Sequence, residues 1–162
     1  SEVGRGTRFS VFVPFAGDAP SVRALRRAPR APASRAYGLT AIKAVVIDND
    51  ASVRDAMRML LDRWGCEVRL CSGLADVETL LAAEPGFRPD IILADYHLDA
   101  GASGLTAVNR LRKAQGVPIH AVVITADHSR EVAEAVASAS CEILRKPVKP
   151  AELRALITHL VA

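Results

Sequence analysis

The sequence predicts an α/β fold in which a parallel β-sheet is covered by helices on both faces. From residue 41 onwards, short apolar runs alternate five times with stretches of helical periodicity. Parallel strands need crossover connections of this kind, and right-handed crossovers place the helices on both faces of the sheet. Half of the residues are apolar and 4% are aromatic, as in an ordinary globular α/β protein.

The five predicted strands are short runs rich in Val, Ile and Leu, as expected of strands that are buried on both faces. They are Ala44–Ile47, Glu67–Cys71, Ile91–Ala94, His120–Thr125 and Glu142–Leu144.

The predicted helices carry apolar residues three or four positions apart. These residues are Val53, Met57, Leu60, Leu61 and Trp64; Leu74, Val77, Leu80 and Leu81; Leu105, Val108 and Leu111; then the stretches Val132 to Val136 and Leu153 to Leu160. Gly65 and Gly86 fall where the first two helices are expected to end.

Polar residues stand at the carboxyl ends of four strands, where open α/β sheets bind their ligands. They are Asp48, Asn49 and Asp50 after the first strand, Asp95 after the third, Thr125 at the end of the fourth and Lys146 after the fifth. Singly, each has an ordinary structural explanation, such as a helix cap or a solvated charge. Their convergence on one edge favours a functional site.

This set of groups suits phosphoryl transfer. Clustered carboxylate and amide oxygens bind Mg²⁺, without which the carboxylates would raise each other's pKa. Asp95 can then attack phosphorus as a carboxylate nucleophile and form an acyl phosphate. Lys146 would neutralise one phosphoryl oxygen, and the Thr125 hydroxyl would donate a hydrogen bond to another.

The motifs "VVIDND", "IILADYHL", "VVITAD" and "LRKPV" resemble those of response-regulator receiver domains from two-component signalling, over residues 41–162. The resemblance implies a flavodoxin-like, doubly wound (βα)5 fold in three layers, with strand order 2-1-3-4-5. It also implies that Asp95 accepts a phosphoryl group from a phosphohistidine, on a histidine kinase or a phosphotransfer protein. The chain would thereby catalyse its own phosphorylation and dephosphorylation, with Mg²⁺ as cofactor.

By the same resemblance, the metal ligands are Asp48, Asn49, Asp95 and the main-chain carbonyl of His97. The family usually has an acid where Asn49 stands, so the neutral amide predicts weaker metal binding unless Asp50 turns inward. The resemblance also implies a cis peptide bond between Lys146 and Pro147, which an X-Pro bond makes accessible.

Other positions depart from the family pattern. Asp99 replaces a usual proline, and Gly104 arrives one residue late. Ile143 stands where many receivers have an aromatic residue that moves on activation. Polar residues at His97 and Asp127 occupy positions that influence dephosphorylation in the family.

The leading segment differs in character from the rest. In residues 1–16, "VGRGTRFSVFVPF" resembles the last glycine box and final strand of a histidine-kinase ATP-binding domain. Residues 17–40 are rich in Ala, Pro and Arg and predict a linker. Together with a receiver domain over 41–162, this predicts the C-terminal part of a hybrid sensor histidine kinase. The parent polypeptide would be a protein-histidine kinase, and the chain, which lacks an initiator Met, a fragment of it.

Charge and composition restrict the partners. Residues 1–40 carry a net charge of +5 and the remaining 122 residues −2, so the basic character is not on the main domain and nucleic-acid binding is not expected. No apolar run approaches the ~20 residues of a membrane span. Three cysteines without a CxxC pair predict reduced thiols and a cytoplasmic location, although the parent could be anchored in a membrane. The sequence leaves open a phosphorylation-driven homodimer.

Two alternatives remain open. One is a receiver-like docking module that has lost phosphorylation, because Asn49 weakens the metal site. The other is a haloacid-dehalogenase-type phosphatase, in which Asp48 would be the nucleophile and Asp50 the general acid/base.

Overall fold

The computed structural model describes residues 39–98 and 103–162. The predicted segment 1–16, all but the last two residues of the predicted linker 17–40, and Asp99 lie outside the described residues.

The described residues form five strands and five helices that alternate along the chain. The strands are β1 (Lys43–Ile47), β2 (Glu67–Cys71), β3 (Ile91–Asp95), β4 (His120–Thr125) and β5 (Glu142–Arg145). The helices are α1 (Ala51–Arg63), α2 (Leu74–Ala83), α3 (Gly104–Gln115), α4 (Arg130–Ser138) and α5 (Pro150–Leu160). Every predicted element is present, and most boundaries fall within one or two residues of the prediction. The largest differences are at α3, which ends four residues after Leu111, at α4, which extends further at both ends, and at α5, which begins three residues earlier.

The strands form one parallel sheet in the order β2-β1-β3-β4-β5, which confirms the predicted order. β1 and β3 lie at its centre and are almost entirely buried. The order reverses direction between β1 and β3, so the switch point of the sheet lies between the ends of these two strands.

Helices cover both faces of the sheet and give three layers. Alternate strand residues such as Val46 and Leu93 pack with Met57 and Leu61 of α1 and with apolar residues of α5. The opposite face packs against α2, α3 and α4. Because side chains alternate along a strand, the continuous apolar runs supply both layers of the core.

Local signals fix the helix ends. Ser103 and Ser129 accept hydrogen bonds from backbone N–H groups in the first turns of α3 and α4. α1 ends at Arg63, and Gly65 follows with φ of +86°, as its predicted place at a helix end requires. Gly86 lies three residues beyond the end of α2, so its predicted role as a helix end is wrong.

The amino ends of the strands form the edge away from the predicted site. A cleft of about 330 Å³ at this edge is lined by Ile42 and Asp90, together with Leu160 and Ala162 from the end of the chain.

Cys66 and Cys71 are buried free thiols, and Cys141 is half-buried. Burial raises the pKa of Cys66 to about 11 and that of Cys71 to about 12. These two thiols are therefore protonated and unreactive at neutral pH. No helix within the described ranges is long and apolar enough to cross a bilayer.

Candidate functional site

Four of the predicted site residues lie at the carboxyl ends of neighbouring strands. Asp48 and Lys146 directly follow β1 and β5, while Thr125 ends β4. Asp95 was predicted to follow β3 but is its last residue, because it still pairs with Ile124 of β4. Asp48, Asp95 and Thr125 are only 5%, 8% and 0% exposed, so their polar groups are largely removed from water.

Lys146 joins the two buried carboxylates. Its Nζ lies 3.0 Å from Asp95 Oδ1 and 3.8 Å from Asp48 Oδ2. Its main-chain N–H donates to the carbonyl oxygen of Thr125 at 2.9 Å, and the Lys146–Pro147 peptide bond is cis, as expected. The ammonium group therefore offsets the repulsion between Asp48 and Asp95 and leaves a third of the lysine side chain accessible.

The surroundings of Asp48 disfavour the ionised form of its carboxyl group. Burial raises its pKa above the usual value, and the charges of Asp95 and Asp50 add to this. The N–H of Asp50, which donates to Asp48 Oδ1 at 2.9 Å, and the charge of Lys146 act in the opposite direction. Because Asp48 is buried beside a second carboxylate, a cation bound at this place would favour its ionised form.

Asp50 serves as the N-cap of α1. Its Oδ1 accepts hydrogen bonds from the N–H of Ser52 at 2.8 Å, from the Ser52 hydroxyl at 2.6 Å and from the N–H of Val53 at 3.4 Å. These bonds, led by that from the Ser52 hydroxyl, lower the pKa of Asp50. The Asp50 carboxylate therefore caps the helix and does not turn inward. The exposed Asn49 is then the predicted metal ligand that follows Asp48 in this loop.

The donor set suits Mg²⁺. Within residues 39–98 and 103–162, no three His, Cys, Asp or Glu side chains form a metal cluster by themselves. The predicted set instead combines two carboxylates, from Asp48 and Asp95, with the amide oxygen of Asn49 and the main-chain oxygen of His97. Mg²⁺ commonly binds proteins through one or two carboxylates and keeps several waters, so these residues fit it.

Thr125 and His97 are linked through Asp127. The N–H of Asp127 donates to Thr125 Oγ1 at 3.0 Å, and His97 Nε2 lies 3.6 Å from Asp127 Oδ2. Hydrogen bonds from Ser129, followed by the nearby His97, lower the pKa of Asp127. The two positions that the resemblance associates with dephosphorylation therefore lie close together, just after β3 and β4.

Gly104 packs directly on the main chain of Asp95. A Cβ at this position would overlap the carbonyl oxygen of Asp95, and the N–H of Gly104 donates to the carbonyl oxygen of Tyr96 at 3.0 Å. The start of α3 therefore holds the end of β3, and only glycine fits there.

Ile143 packs in an apolar cluster around Val123, Val132 and Val136, which Tyr96 also contacts. An aliphatic side chain at this position has no ring that could rotate between two environments.

A cavity of about 590 Å³ adjoins the acidic edge between α1 and the loop after β5. Asp48, Asp95 and Lys146 line one side of it, and apolar side chains such as Met57 and Val148 line the rest. The site is thus accessible from this side of the sheet edge.

Sequence reasoning missed one residue of this edge. Arg54 of α1 donates from Nη1 to the carbonyl oxygen of Asp48 at 2.5 Å. The signal that could have identified Arg54 is an arginine four residues after Asp50, at the start of the helix that follows the first strand.

Comparison with known proteins gives consistent matches. A family model described as the response regulator receiver domain matches residues 44–158. The transcriptional regulatory protein FixJ of Bradyrhizobium diazoefficiens is 32% identical over 117 residues, which cover 72% of this chain and 55% of FixJ. The cyclic di-GMP phosphodiesterase response regulator RpfG of Xanthomonas campestris is 29% identical over 120 residues, which cover 72% of this chain and 31% of RpfG. The chain thus spans about half or less of these relatives.

Solved structures show the same fold. A response regulator receiver protein from Burkholderia phymatum is 28% identical, with a TM-score of 0.64 over 74% of this chain and 94% of that one. A receiver domain protein from Clostridium thermocellum is 21% identical, with a TM-score of 0.65 and the same coverage of both chains.

Proposed function

The chain belongs to the response regulator receiver family, and from this premise we propose that it accepts a phosphoryl group on Asp95 in a Mg²⁺-dependent two-component phosphorelay. The observation that carries the proposal is the contact of Lys146 Nζ with Asp95 Oδ1 at 3.0 Å, beside the second buried carboxylate of Asp48. The proposed nucleophile Asp95, the ammonium group of Lys146 and the predicted metal ligands therefore lie at the same accessible edge of the sheet.

The residues have separate tasks in the transfer. An Asp95 carboxylate oxygen attacks phosphorus, the P–N bond to the donor imidazole breaks, and the imidazole nitrogen keeps the electron pair. The Lys146 ammonium pairs with a phosphoryl oxygen, and the Thr125 hydroxyl donates to another. Asp48, Asp95, Asn49 and the carbonyl of His97 would hold Mg²⁺, which when bound neutralises charge on the carboxylates and on the phosphoryl group.

The phosphatase hypothesis is not supported. It requires Asp50 as a general acid/base, but this carboxylate caps α1 and its pKa is lowered by hydrogen bonds from Ser52. The family match is also to receiver domains.

The wider context is part of the same proposal. The phosphodonor is a histidine kinase or a histidine phosphotransfer protein, and the chain acts in the cytoplasm as the terminal receiver of a hybrid sensor histidine kinase. The glycine box and final strand predicted in 1–16 and the linker predicted in 17–40 support this arrangement. Incubation of the complete parent polypeptide with ATP tests it, and failure to form phosphohistidine would contradict it.

The phosphorylation experiment is direct. Incubation with Mg²⁺ and acetyl phosphate, followed by intact-mass measurement and peptide mapping, should add one phosphate at Asp95. Asp95→Asn should abolish the adduct, and Lys146→Ala should impair the response to phosphorylation. Asp90→Asn, at the opposite end of β3, is the matched control and should be phosphorylated normally.

Two results would contradict the proposal. A phosphate on Asp48 would restore the phosphatase hypothesis. No adduct with any divalent cation, together with no binding of beryllofluoride, would instead identify a docking module.

A further inference from the structure

We propose that Arg54 is a positioning residue for the cation site, which holds the main chain of Asp48 so that its carboxylate is presented to the metal. The proposal rests on the proposed function, because it assumes that Asp48 binds a cation. Arg54 contacts neither reacting group and would act through Asp48.

The main chain of Asp48 is held on both sides. Its N–H donates to the carbonyl oxygen of Cys71 in β2 at 3.1 Å, and its own carbonyl oxygen accepts the hydrogen bond from Arg54 Nη1 at 2.5 Å. The Oδ1 atom of its side chain accepts from the N–H of Asp50. These three bonds fix the peptide units around Asp48 and one carboxylate oxygen, and they leave Oδ2 directed towards Lys146 at 3.8 Å.

Arg54 is well placed to maintain this arrangement. It lies in the first turn of α1, where its own N–H donates to the carbonyl oxygen of Asp50 at 3.0 Å. The side chain therefore folds back over six residues to the end of β1 and ties the helix start to the strand end. Arg54 is a partly buried residue and its hydrogen bond to Asp48 is partly buried, which strengthens a charge-assisted hydrogen bond relative to one in water.

The charge of Arg54 and its hydrogen bond have opposite effects on cation binding. The guanidinium is close enough to Asp50 and Asp76 to contribute to their lowered pKa values, after the hydrogen bonds from Ser52 and Ser72. A positive charge beside an acidic site repels a divalent cation, so removal of the charge alone would strengthen metal binding. Removal of the positioning bond would weaken metal binding. The sign of the change therefore separates the two roles.

The test measures binding of Mn²⁺ alone by the EPR signal of the free ion, without a phosphodonor. Arg54→Ala should raise the Kd for Mn²⁺ on the order of tenfold, as loss of a residue that orients a metal ligand typically does. Arg54→Lys, which keeps a charged donor, should fall between this variant and the wild type. Arg58→Ala is the matched control, because Arg58 lies one turn further along α1 in an exposed pair with Asp55, and it should leave the Kd unchanged.

A second measurement tests the route through Asp48. In an Asp48→Asn background, Arg54→Ala should add little further loss of Mn²⁺ affinity, because the ligand that it positions is already gone. With acetyl phosphate, Arg54→Ala should need more Mg²⁺ for half-maximal phosphorylation, while its rate at saturating Mg²⁺ should approach that of the wild type. If Arg54→Ala does not fold, Arg54→Met replaces it, since it keeps the aliphatic stem and loses the donor.

The outcomes separate this inference from the proposed function. Unchanged or tighter Mn²⁺ binding by folded Arg54→Ala, or fully additive losses in the double variant, would overturn the positioning role even if Asp95 is phosphorylated. Weaker Mn²⁺ binding by Arg54→Ala would support it even if the wild type accepts no phosphoryl group. Absence of Mn²⁺ binding by the wild type would overturn both.

Discussion

Asp48 is a predicted metal ligand, and the burial of its carboxylate destabilises the folded state. It is 5% exposed, and burial is the largest cause of its raised pKa. A raised pKa means that the folded state binds the Asp48 proton more tightly than the unfolded state does. Stability therefore falls as pH rises from the unfolded-state pKa through the folded-state pKa.

Asp48→Asn should accordingly stabilise the protein. The amide oxygen can still accept from the N–H of Asp50, while the cost of a buried charge disappears. In metal-free buffer at pH 7 we expect a Tm a few degrees higher than that of the wild type. Near pH 3, where the carboxyl is protonated in both states, the gain should vanish. Thermal unfolding followed by circular dichroism measures both, with Asp55→Asn on the exposed face of α1 as control; a lower Tm at pH 7 would contradict this reasoning.

The identity of Gly104 is dictated by its surroundings. Gly104→Ala should cost about 1–3 kcal/mol of unfolding free energy, because the new methyl group overlaps the Asp95 carbonyl oxygen and the start of α3 or the end of β3 must shift. The same shift should slow phosphorylation by acetyl phosphate. Gly86→Ala is the control, since a Cβ there meets nothing within 4 Å. Urea unfolding curves compare the two, and equal stability would argue against the close contact.

At the scale of elements, a single arginine joins the ends of two helices to the start of a strand. Arg112 near the end of α3 donates from Nε to the carbonyl oxygen of Ile119, which precedes β4, at 2.9 Å. It also donates to the carbonyl oxygens of Ala139 and Ser140, just after α4, at 2.6 and 3.0 Å. These carbonyl groups lie at helix ends and turns, where few backbone N–H groups are available as hydrogen-bond donors.

Arg112→Ala should therefore destabilise the fold by about 2 kcal/mol, because three carbonyl groups lose a charged donor. Arg110→Ala, two residues earlier, removes only a partly exposed pair with Glu78 and should cost at most about 1 kcal/mol. Unfolding in urea measures both variants. Similar losses would show that the bonds of Arg112 contribute no more than a surface ion pair.

At the scale of the whole molecule, cation binding and folding should be coupled. Mg²⁺ that binds the folded state alone stabilises it by about 2.7 kcal/mol at a concentration 100 times its Kd. We expect Mg²⁺ to raise the Tm of the wild type and to leave that of Asp48→Asn nearly unchanged. Sodium chloride at matched ionic strength controls for screening, and an equal shift in both proteins would place the cation elsewhere.

Much of this architecture could be predicted from local patterns. The strands are continuous apolar runs, so their positions were predictable, and a parallel sheet then brings Asp48, Asp95, Thr125 and Lys146 to one edge. Local patterns could not predict the strand order, because several orders are compatible with the same alternation of strands and helices. The correct order was predicted only from the resemblance of the motifs. The end of β3 was misplaced because Asp95 is held in the strand by its neighbour β4.

The contacts that depend on side-chain conformation could not be predicted. The bond from Arg54 to the Asp48 carbonyl requires a long side chain to fold back along its own helix. The pair of His97 and Asp127 joins two loops whose separation is set by the sheet. The contact of Gly104 with the main chain of Asp95 joins the start of α3 to the end of β3. Sequence spacing alone specifies none of these distances.

The cleft shared by Ile42 and Ala162 has a practical consequence. The first strand and the last helix of the described domain come together at the edge away from the proposed phosphorylation site. A circular permutant could therefore connect residue 162 to residue 42 through a short linker and open the chain within an exposed loop, with the acidic edge unaltered. The same proximity would allow the domain to be inserted as a unit into a surface loop of another protein, with the acidic edge left accessible.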